Sequence, residues 1–203
     1  MIAFLILLLN WVNTTGEYIL GRTVKTTAEN IAASGSIADF NIKEYIGKFY
    51  SDFFTGVNVA GVIIQLFFVS RILKYLGIRI AILLLPVIAC GGYLLLAVYP
   101  VLSMVRWAKT GENATDYSLN NTVRHALFLP TSREEKYKAK QAIDSFFHRS
   151  GDVLSAIIVF IGFELFALET KYFAIFNLVL VTIWLFLAIK IGQENKRLTD
   201  KRI

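Results

Sequence analysis

Six polar side chains between residues 106 and 124 have the chemistry to bind an anionic or zwitterionic solute. They recur at steps of three and four residues, so on a helix they share one face. The six are Arg106, Lys109, Asn113, Asp116, Asn120 and Arg124. Lysine and arginine donate charge-assisted hydrogen bonds to phosphate or carboxylate oxygens, and arginine can donate two in parallel. The alternative is that these acids and bases pair with each other and with neighbouring helices.

A second polar stripe lies near the start of the chain. Asn10, Thr14, Glu17 and Gly21 recur there at helical spacing in an otherwise apolar segment. Glu17 is the most informative of them, because a carboxylate inside a membrane must be paired, protonated or hydrated. Each of those states is useful in transport. The alternative is that Glu17 lies at the outer membrane interface and is solvated.

Other polar residues admit simpler interpretations. Asn58 and Gln65 are explained by hydrogen bonds between helices as well as by contact with a solute. For Glu164, a structural ion pair and a solute role are equally compatible with its position. Four further residues share a face but begin at the expected cytoplasmic surface, so contact with water and lipid headgroups is the favoured interpretation. These four are Asp144, His148, Asp152 and Ser155.

Catalytic and metal-binding signatures are missing from the sequence. It contains no GxSxG, HExxH or GxxxxGK[ST] motif. The two histidines, the single cysteine and the carboxylates have no spacing typical of a metal site. Neither an enzyme nor a cofactor is therefore expected.

The composition is that of a membrane protein. Hydrophobic residues make up 56% of the 203 residues and charged residues 18%, with a mean hydropathy of +0.57, which is too apolar for a soluble domain of this length. The formal net charge is +6. In a membrane protein a basic excess is more often a topology signal than a nucleic-acid-binding surface. The expected partner is a lipid bilayer, and no nucleic acid is expected.

Six membrane spans are predicted, and five of them are apolar. A helix of about 20 apolar residues crosses the roughly 30 Å of hydrocarbon in a bilayer. The apolar spans cover about residues 1–22, 50–73, 78–98, 145–168 and 172–192. The sixth span is the polar segment 101–129, which a hydropathy profile alone would leave as a loop. The whole chain, residues 1–203, is then one all-α transmembrane domain.

The distribution of basic residues is what predicts the polar span. Three clusters flank the apolar segments: Arg71, Lys74 and Arg79; Arg133, Lys136, Lys138 and Lys140; Lys190, Lys196, Arg197, Lys201 and Arg202. With five spans the first cluster would lie opposite the other two, against the tendency of basic loops to stay in the cytoplasm. With six, all three clusters and both termini are cytoplasmic. So polar a span cannot face lipid, and must face other helices or a watery cavity.

The segment from Asp116 to Asp144 resembles a stretch of the ATP:ADP antiporter family, the nucleotide transporters of plastids and obligate intracellular bacteria. There the family has Lys-Tyr-Ser, a Lys-Glu pair, an aliphatic-Pro step, Lys-x-Lys-x-Lys, an alanine and an aspartate. The matching residues here are Tyr117, Ser118, Pro130, Lys136, Lys138, Lys140, Ala142 and Asp144. Arg124 keeps the charge of the family's lysine. Asp116 stands in place of a lysine and His125 in place of a glutamate.

The resemblance implies a major-facilitator-type bundle of which this chain is the C-terminal half, with an N-terminal six-helix half as partner. It implies a multi-pass protein of the bacterial inner membrane that transports an anionic solute, a nucleotide or a related phosphate or carboxylate compound, by alternating access. The residues expected to bind the solute are Glu17, Lys109, Asn113, Asp116, Asn120 and Arg124. The alternative is a membrane-embedded scaffold or interaction protein without transport activity.

Overall fold

The computed structural model describes residues 1–35, 37, 39–129, 141 and 143–200, and all regular structure within these residues is helical. Six helices follow one another in the described residues. They are α1 (Ile2–Ser34), α2 (Ile42–Tyr75), α3 (Gly77–Val98), α4 (102–126), α5 (143–165) and α6 (Thr170–Asp200). The predicted class, an all-α integral membrane protein, is confirmed.

Parts of two basic clusters and of the family-like segment lie outside the described residues. They are Pro130, Arg133, Lys136, Lys138, Lys140, Ala142, Lys201 and Arg202. The side chains of Asp144 and His148 also fall outside the description.

Five of the described helices are long and apolar enough to cross a membrane: α1, α2, α3, α5 and α6. They correspond to the five segments predicted to be apolar spans, although α5 ends at Leu165 and not at the predicted residue 168. Helix α4 is the polar one, and at about 1.5 Å per residue it is about 37 Å long. That length matches the thickness of a bilayer. Helix α4 is therefore long enough to cross one, and differs from the other five helices in being polar.

Helix α1 extends well past the predicted end of the first span at residue 22. The added turns, from Thr23 to Ser34, are rich in alanine and in polar residues that are compatible with a helix. Lys25 and Glu29 form an exposed pair one turn apart, with 3.8 Å between Nζ and Oε1. The helix ends at Gly35, whose φ of 60° is left-handed and costs glycine little. Helix α1 therefore continues beyond the apolar segment, because the residues that follow still favour a helix.

Helix α1 is at the centre of the bundle. It packs against α2, α4, α5 and α6, while α3 packs along α6 and against α4. Four of its side chains, Val12, Ile19, Leu20 and Val24, are completely buried. Helix α4 lies against α1, α2 and α3, so much of its polar surface is covered by other helices. The arrangement brings the two polar stripes of the sequence, on α1 and α4, into contact.

The described residues contain four π-helical segments, of which two interrupt α2 and α4 and two form the ends of α5. They are Ile64–Val69 in α2, Asp116–Asn120 in α4, and Ile143–Phe147 and Ile161–Leu165 in α5. Because π hydrogen bonds run from residue i to i+5, such a turn holds an extra residue and rotates everything that follows. The predicted stripe on α4 assumed a uniform α-helix, so its first half and its last residues point in different directions.

Helices α1 and α5 approach each other closely at Gly151, which is buried. A Cβ atom at this position would lie 2.9 Å from the carbonyl oxygen of Leu7 and 3.0 Å from the amide nitrogen of Trp11. Both are backbone atoms of α1, so no side chain can swing away to make room. Small residues allow this kind of close approach between membrane helices.

We expect Gly151→Ala to destabilise the protein by about 1–3 kcal/mol, because the two helices must separate to admit the methyl group. The measurement is the thermal unfolding temperature of the purified protein in detergent. The matched control is Gly56→Ala on α2, where a Cβ atom meets nothing within 4 Å. Alanine is the better helix former, so the control is neutral or slightly stabilising. Equal unfolding temperatures for the two variants would contradict the close contact.

Candidate functional site

A lysine is buried where α4 meets α1. Only 1% of the Lys109 side chain is exposed, and its Nζ lies 2.8 Å from Oδ1 of Asn13, 3.4 Å from Oε1 of Glu17 and 3.3 Å from Oε1 of Glu112. An ammonium group out of water is tolerated only when hydrogen bonds and opposite charges surround it. The three oxygens meet this requirement.

Glu112 is the inner partner of this lysine. Its side chain is 6% exposed, and the Tyr93 hydroxyl on α3 lies 3.1 Å from its Oε2. That hydroxyl is also 3.2 Å from the carbonyl oxygen of Val12, so it can donate to either acceptor. A Cβ atom at Gly16 would collide with the same hydroxyl and come within 3.0 Å of the lysine Nζ. The absence of a side chain on Gly16 therefore makes room for the buried pair.

Glu17 is the outer partner. Its side chain is 36% exposed, far more than that of Glu112, and its Oε1 accepts a hydrogen bond of 2.9 Å from Nδ2 of Asn113. Asn113 is itself buried. One carboxylate of the site is thus held in the interior while the other reaches its accessible edge.

We call Glu17, Lys109 and Glu112, with their neutral partners Asn13, Tyr93 and Asn113, the ion-pair cluster. The cluster contains two carboxylates and one ammonium group, so its acids exceed its bases. In the part of the chain that the structure describes, no group of three or more histidine, cysteine or acidic residues is placed to hold a metal ion. The cluster's chemistry is that of exchangeable ion pairs.

The remaining predicted site residues lie further along α4. Nδ2 of Asn120 donates a hydrogen bond of 2.6 Å to Oδ1 of Asp116, within the π segment. Arg124 is half-buried near the end of the helix. Lys109 and Arg124 are about 22 Å apart along the axis, so one anionic group cannot contact both. The structure joins Glu17, Lys109 and Asn113 in one place, and Asp116 and Asn120 in another.

Arg106, the first residue of the predicted stripe, points elsewhere. Its guanidinium carbon lies 5.6 Å from the centre of the Phe49 ring on α2, a cation–π contact. Glu164 is exposed on α5. Neither residue belongs to the ion-pair cluster.

The favoured interpretation of Asp152 and Ser155, contact with water and headgroups, is wrong. Oδ1 of Asp152 accepts hydrogen bonds from Nδ2 of Asn10 at 2.7 Å and from the Thr14 hydroxyl at 2.8 Å. The buried Ser155 hydroxyl lies 2.9 Å from that of Thr15. The polar stripe of α1 extends far enough around the helix to meet α5 on one side and α4 on the other.

Three buried residues around Lys109, namely Glu112, Tyr93 and Asn177, were not among the residues expected to bind the solute. Tyr93 on α3 and Asn177 on α6 both reach the carbonyl oxygen of Val12, with Asn177 donating through Nδ2 at 3.0 Å. Asn177 had a detectable signal, because an amide in an apolar membrane helix needs a partner. Tyr93 had none, since a tyrosine in an apolar segment is commonplace.

A comparison with known protein families gives a match in the part of the chain that contains α4. A family model, described as TLC ATP/ADP transporter, matches residues 93–195, just over half of the chain. The match begins at Tyr93 and covers all of α4 and α5 and most of α6. Comparison with curated proteins and with solved structures gave no match.

Removing the buried ammonium group of Lys109 should lower the stability of the protein. We expect Lys109→Met to destabilise the protein by about 3–5 kcal/mol, because the buried Glu112 carboxylate loses its counter-charge. Thermal unfolding in detergent measures the effect. The control is Lys25→Met, which breaks an exposed pair whose side chains are 70% and 52% exposed and should change stability by less than about 0.5 kcal/mol.

The double variant Lys109→Met/Glu112→Gln should regain part of the lost stability, since it removes the orphaned charge as well. A double variant no more stable than Lys109→Met alone would contradict the pairing.

Proposed function

This chain belongs to the TLC ATP/ADP transporter family, and from that premise we propose that it binds the transported solute through the charges of α1 and α4 and works by alternating access. The suspected membership of the ATP:ADP antiporter family is confirmed. The family is one of nucleotide transporters, and the chain is a multi-pass integral membrane protein. The proposed solute is a nucleotide or a related phosphate or carboxylate compound.

The observation that carries the proposal is the pairing of the buried Lys109 with one buried and one accessible carboxylate. Burying a lysine with two carboxylates gives little net stability, because desolvation offsets most of the attraction. An apolar contact between α1 and α4 would stabilise the bundle at least as well. Lys109 and Glu112 lie in the half of the chain that matches a transporter family, and binding of a solute best explains a polar cluster of such energetic cost.

In the proposed mechanism the solute competes with Glu17 for Lys109. Glu17 is the more exposed partner, so an anionic oxygen can displace it, whereas Glu112 stays fixed by Tyr93 and the lysine. The ammonium then donates charge-assisted hydrogen bonds to the solute, and the Asn113 amide, released from Glu17, can join it. When the solute leaves, the carboxylate returns. Asp116, Asn120 and Arg124 complete the proposed path further along α4.

We also propose that α4 is a membrane span, which gives six crossings and places both termini and the basic clusters in the cytoplasm. Its length supports this, and so does its packing against α1, α2 and α3, which shields its charges from lipid. The proposed setting is a bacterial inner membrane. There the chain would act as the C-terminal half of a major-facilitator-type carrier beside an N-terminal half, with its site near the membrane midplane.

Replacing Arg124 tests the far end of the path. In the full-length carrier, Arg124→Gln should abolish uptake of labelled ATP into cells while the amount of membrane-inserted protein stays the same, because the glutamine amide carries no positive charge and lacks the two parallel donors of the guanidinium. Lys190→Gln, an exposed position on α6, is the matched control and should transport normally. Normal uptake by Arg124→Gln would remove Arg124 from the path. No uptake by the unmodified protein would favour the scaffold alternative.

Replacing Glu17 tests the competition. Glu17→Gln keeps the shape but loses the charge, so the solute no longer displaces an acid from Lys109. We expect the KM for ATP to fall by up to about tenfold, equivalent to about 1.4 kcal/mol, and kcat to fall too, because the carboxylate no longer helps expel the solute. Glu29→Gln, an exposed acid on the same helix, is the control. A raised KM with an unchanged kcat would contradict this role.

A further inference from the structure

A second site lies between α2 and α4, outside the ion-pair cluster. It is a cavity of about 330 Å³, which we call the α2–α4 cavity. Its polar lining consists of amides and hydroxyls, all of them uncharged: Asn58, Gln65, Tyr117, Ser118, Asn121 and Thr122. The volume is at the lower end of the range for small-molecule sites, which suits a part of a nucleotide rather than the whole.

The three amide side chains of the cavity are available to a ligand. No described residue makes a hydrogen bond to the side chain of Asn58, Gln65 or Asn121, so interhelical bonding does not explain them. In contrast, the Ser118 and Thr122 hydroxyls donate to backbone carbonyls of their own helix. An amide facing hydrocarbon would cost several kcal/mol, because lipid offers no hydrogen-bond partner. The cavity therefore faces water or a polar ligand.

Two π segments meet at this cavity. Gln65 lies in the π segment of α2, and Tyr117 and Ser118 lie in that of α4, and the two segments contact each other. Single π turns inside α-helices occur frequently at functional sites. Here the π segment of α4 contributes Tyr117 and Ser118 to the lining of the cavity, opposite Gln65 of α2.

The cavity and the ion-pair cluster lie at neighbouring levels of α4. Lys109 and Tyr117 are two helical turns, or about 12 Å, apart along the helix axis. A ligand with an anionic end and an uncharged ring at the other end would contact both places at once.

We propose that the α2–α4 cavity binds the nucleobase of the transported nucleotide, while its phosphates lie toward the ion-pair cluster. This inference rests on the proposed function. The Tyr117 ring, with 54% of the residue exposed, provides a stacking surface for the base. The amides of Asn58, Gln65 and Asn121 each provide a donor and an acceptor, as the edges of a base require. The cavity would then select among bases, and the cluster among phosphates.

The test uses the full-length protein in proteoliposomes and the uptake of labelled ATP. Tyr117→Ala should raise the KM for ATP about tenfold, the effect of losing one base–aromatic stack. Tyr117→Phe keeps the ring and should stay within about twofold of the unmodified protein. Both variants should keep the ratio of inhibition constants for ATP and AMP, which share a base and differ only in phosphates.

The amide variants test base selection separately. Asn58→Leu and Gln65→Leu remove hydrogen-bonding groups at nearly constant size, and each should change the ratio of inhibition constants among ATP, GTP and CTP about tenfold. Val59→Leu, beside Asn58 on α2 but outside the cavity lining, is the matched control and should leave that ratio unchanged. If Tyr117→Ala fails to reach the membrane, these two variants still decide the question.

Three outcomes would overturn the inference. If the unmodified protein transports ATP while the Tyr117 and amide variants keep its KM and base selectivity, the cavity does not bind the base, and the proposed function stands. If those variants change the oligomeric state or helix packing with no change in base selectivity, the cavity is a protein contact surface. If the unmodified protein takes up no nucleotide, the proposed function fails and this inference fails with it.

Discussion

The bundle depends on how it accommodates the Lys109 ammonium. A charge buried inside a helical bundle needs counter-charges and hydrogen bonds within reach, since apolar surroundings supply neither. Three helices meet this need: α1 with Asn13 and Glu17, α3 with Tyr93, and α4 with Glu112. Each partner must lie within about one hydrogen-bond length of the next, so their helices cannot separate without exposing a charge. The polar centre thereby sets how close α1, α3 and α4 lie.

The composition of α1 follows from that requirement. Its polar stripe supplies Glu17 to α4 on one side and Asn10 and Thr14 to Asp152 on α5 on the other, and Gly16 leaves room for Tyr93 and Lys109. Most of its fully buried positions, such as Val12 and Ile19, are apolar and pack between these contacts. A helix in contact with four others, two of them through charges, cannot be uniformly apolar. Its polarity follows from its place at the centre.

Sequence patterns predicted what depends on composition and periodicity. The five apolar helices and the covering of Lys109 by neighbouring helices both follow from the cost of polar groups in lipid. The missed features depend on tertiary contacts. The π segment at Asp116–Asn120 breaks the assumed period, Tyr93 gains its role from Glu112, and Asp152 is held by α1 rather than by water. A single sequence carries no signal for such pairings across helices.

Helix α4 joins two kinds of polar surface that are normally incompatible with a membrane span. Lys109 and Glu112 lie on the side of α4 that meets α1 and α3, whereas Tyr117 and Ser118 line a cavity shared with α2. At about 100° per residue, Ser118 lies on the side of the helix opposite Lys109. One helix therefore contributes to a charged centre and to a neutral cavity at once. An amphiphilic solute, anionic at one end and uncharged at the other, needs both surfaces in this order.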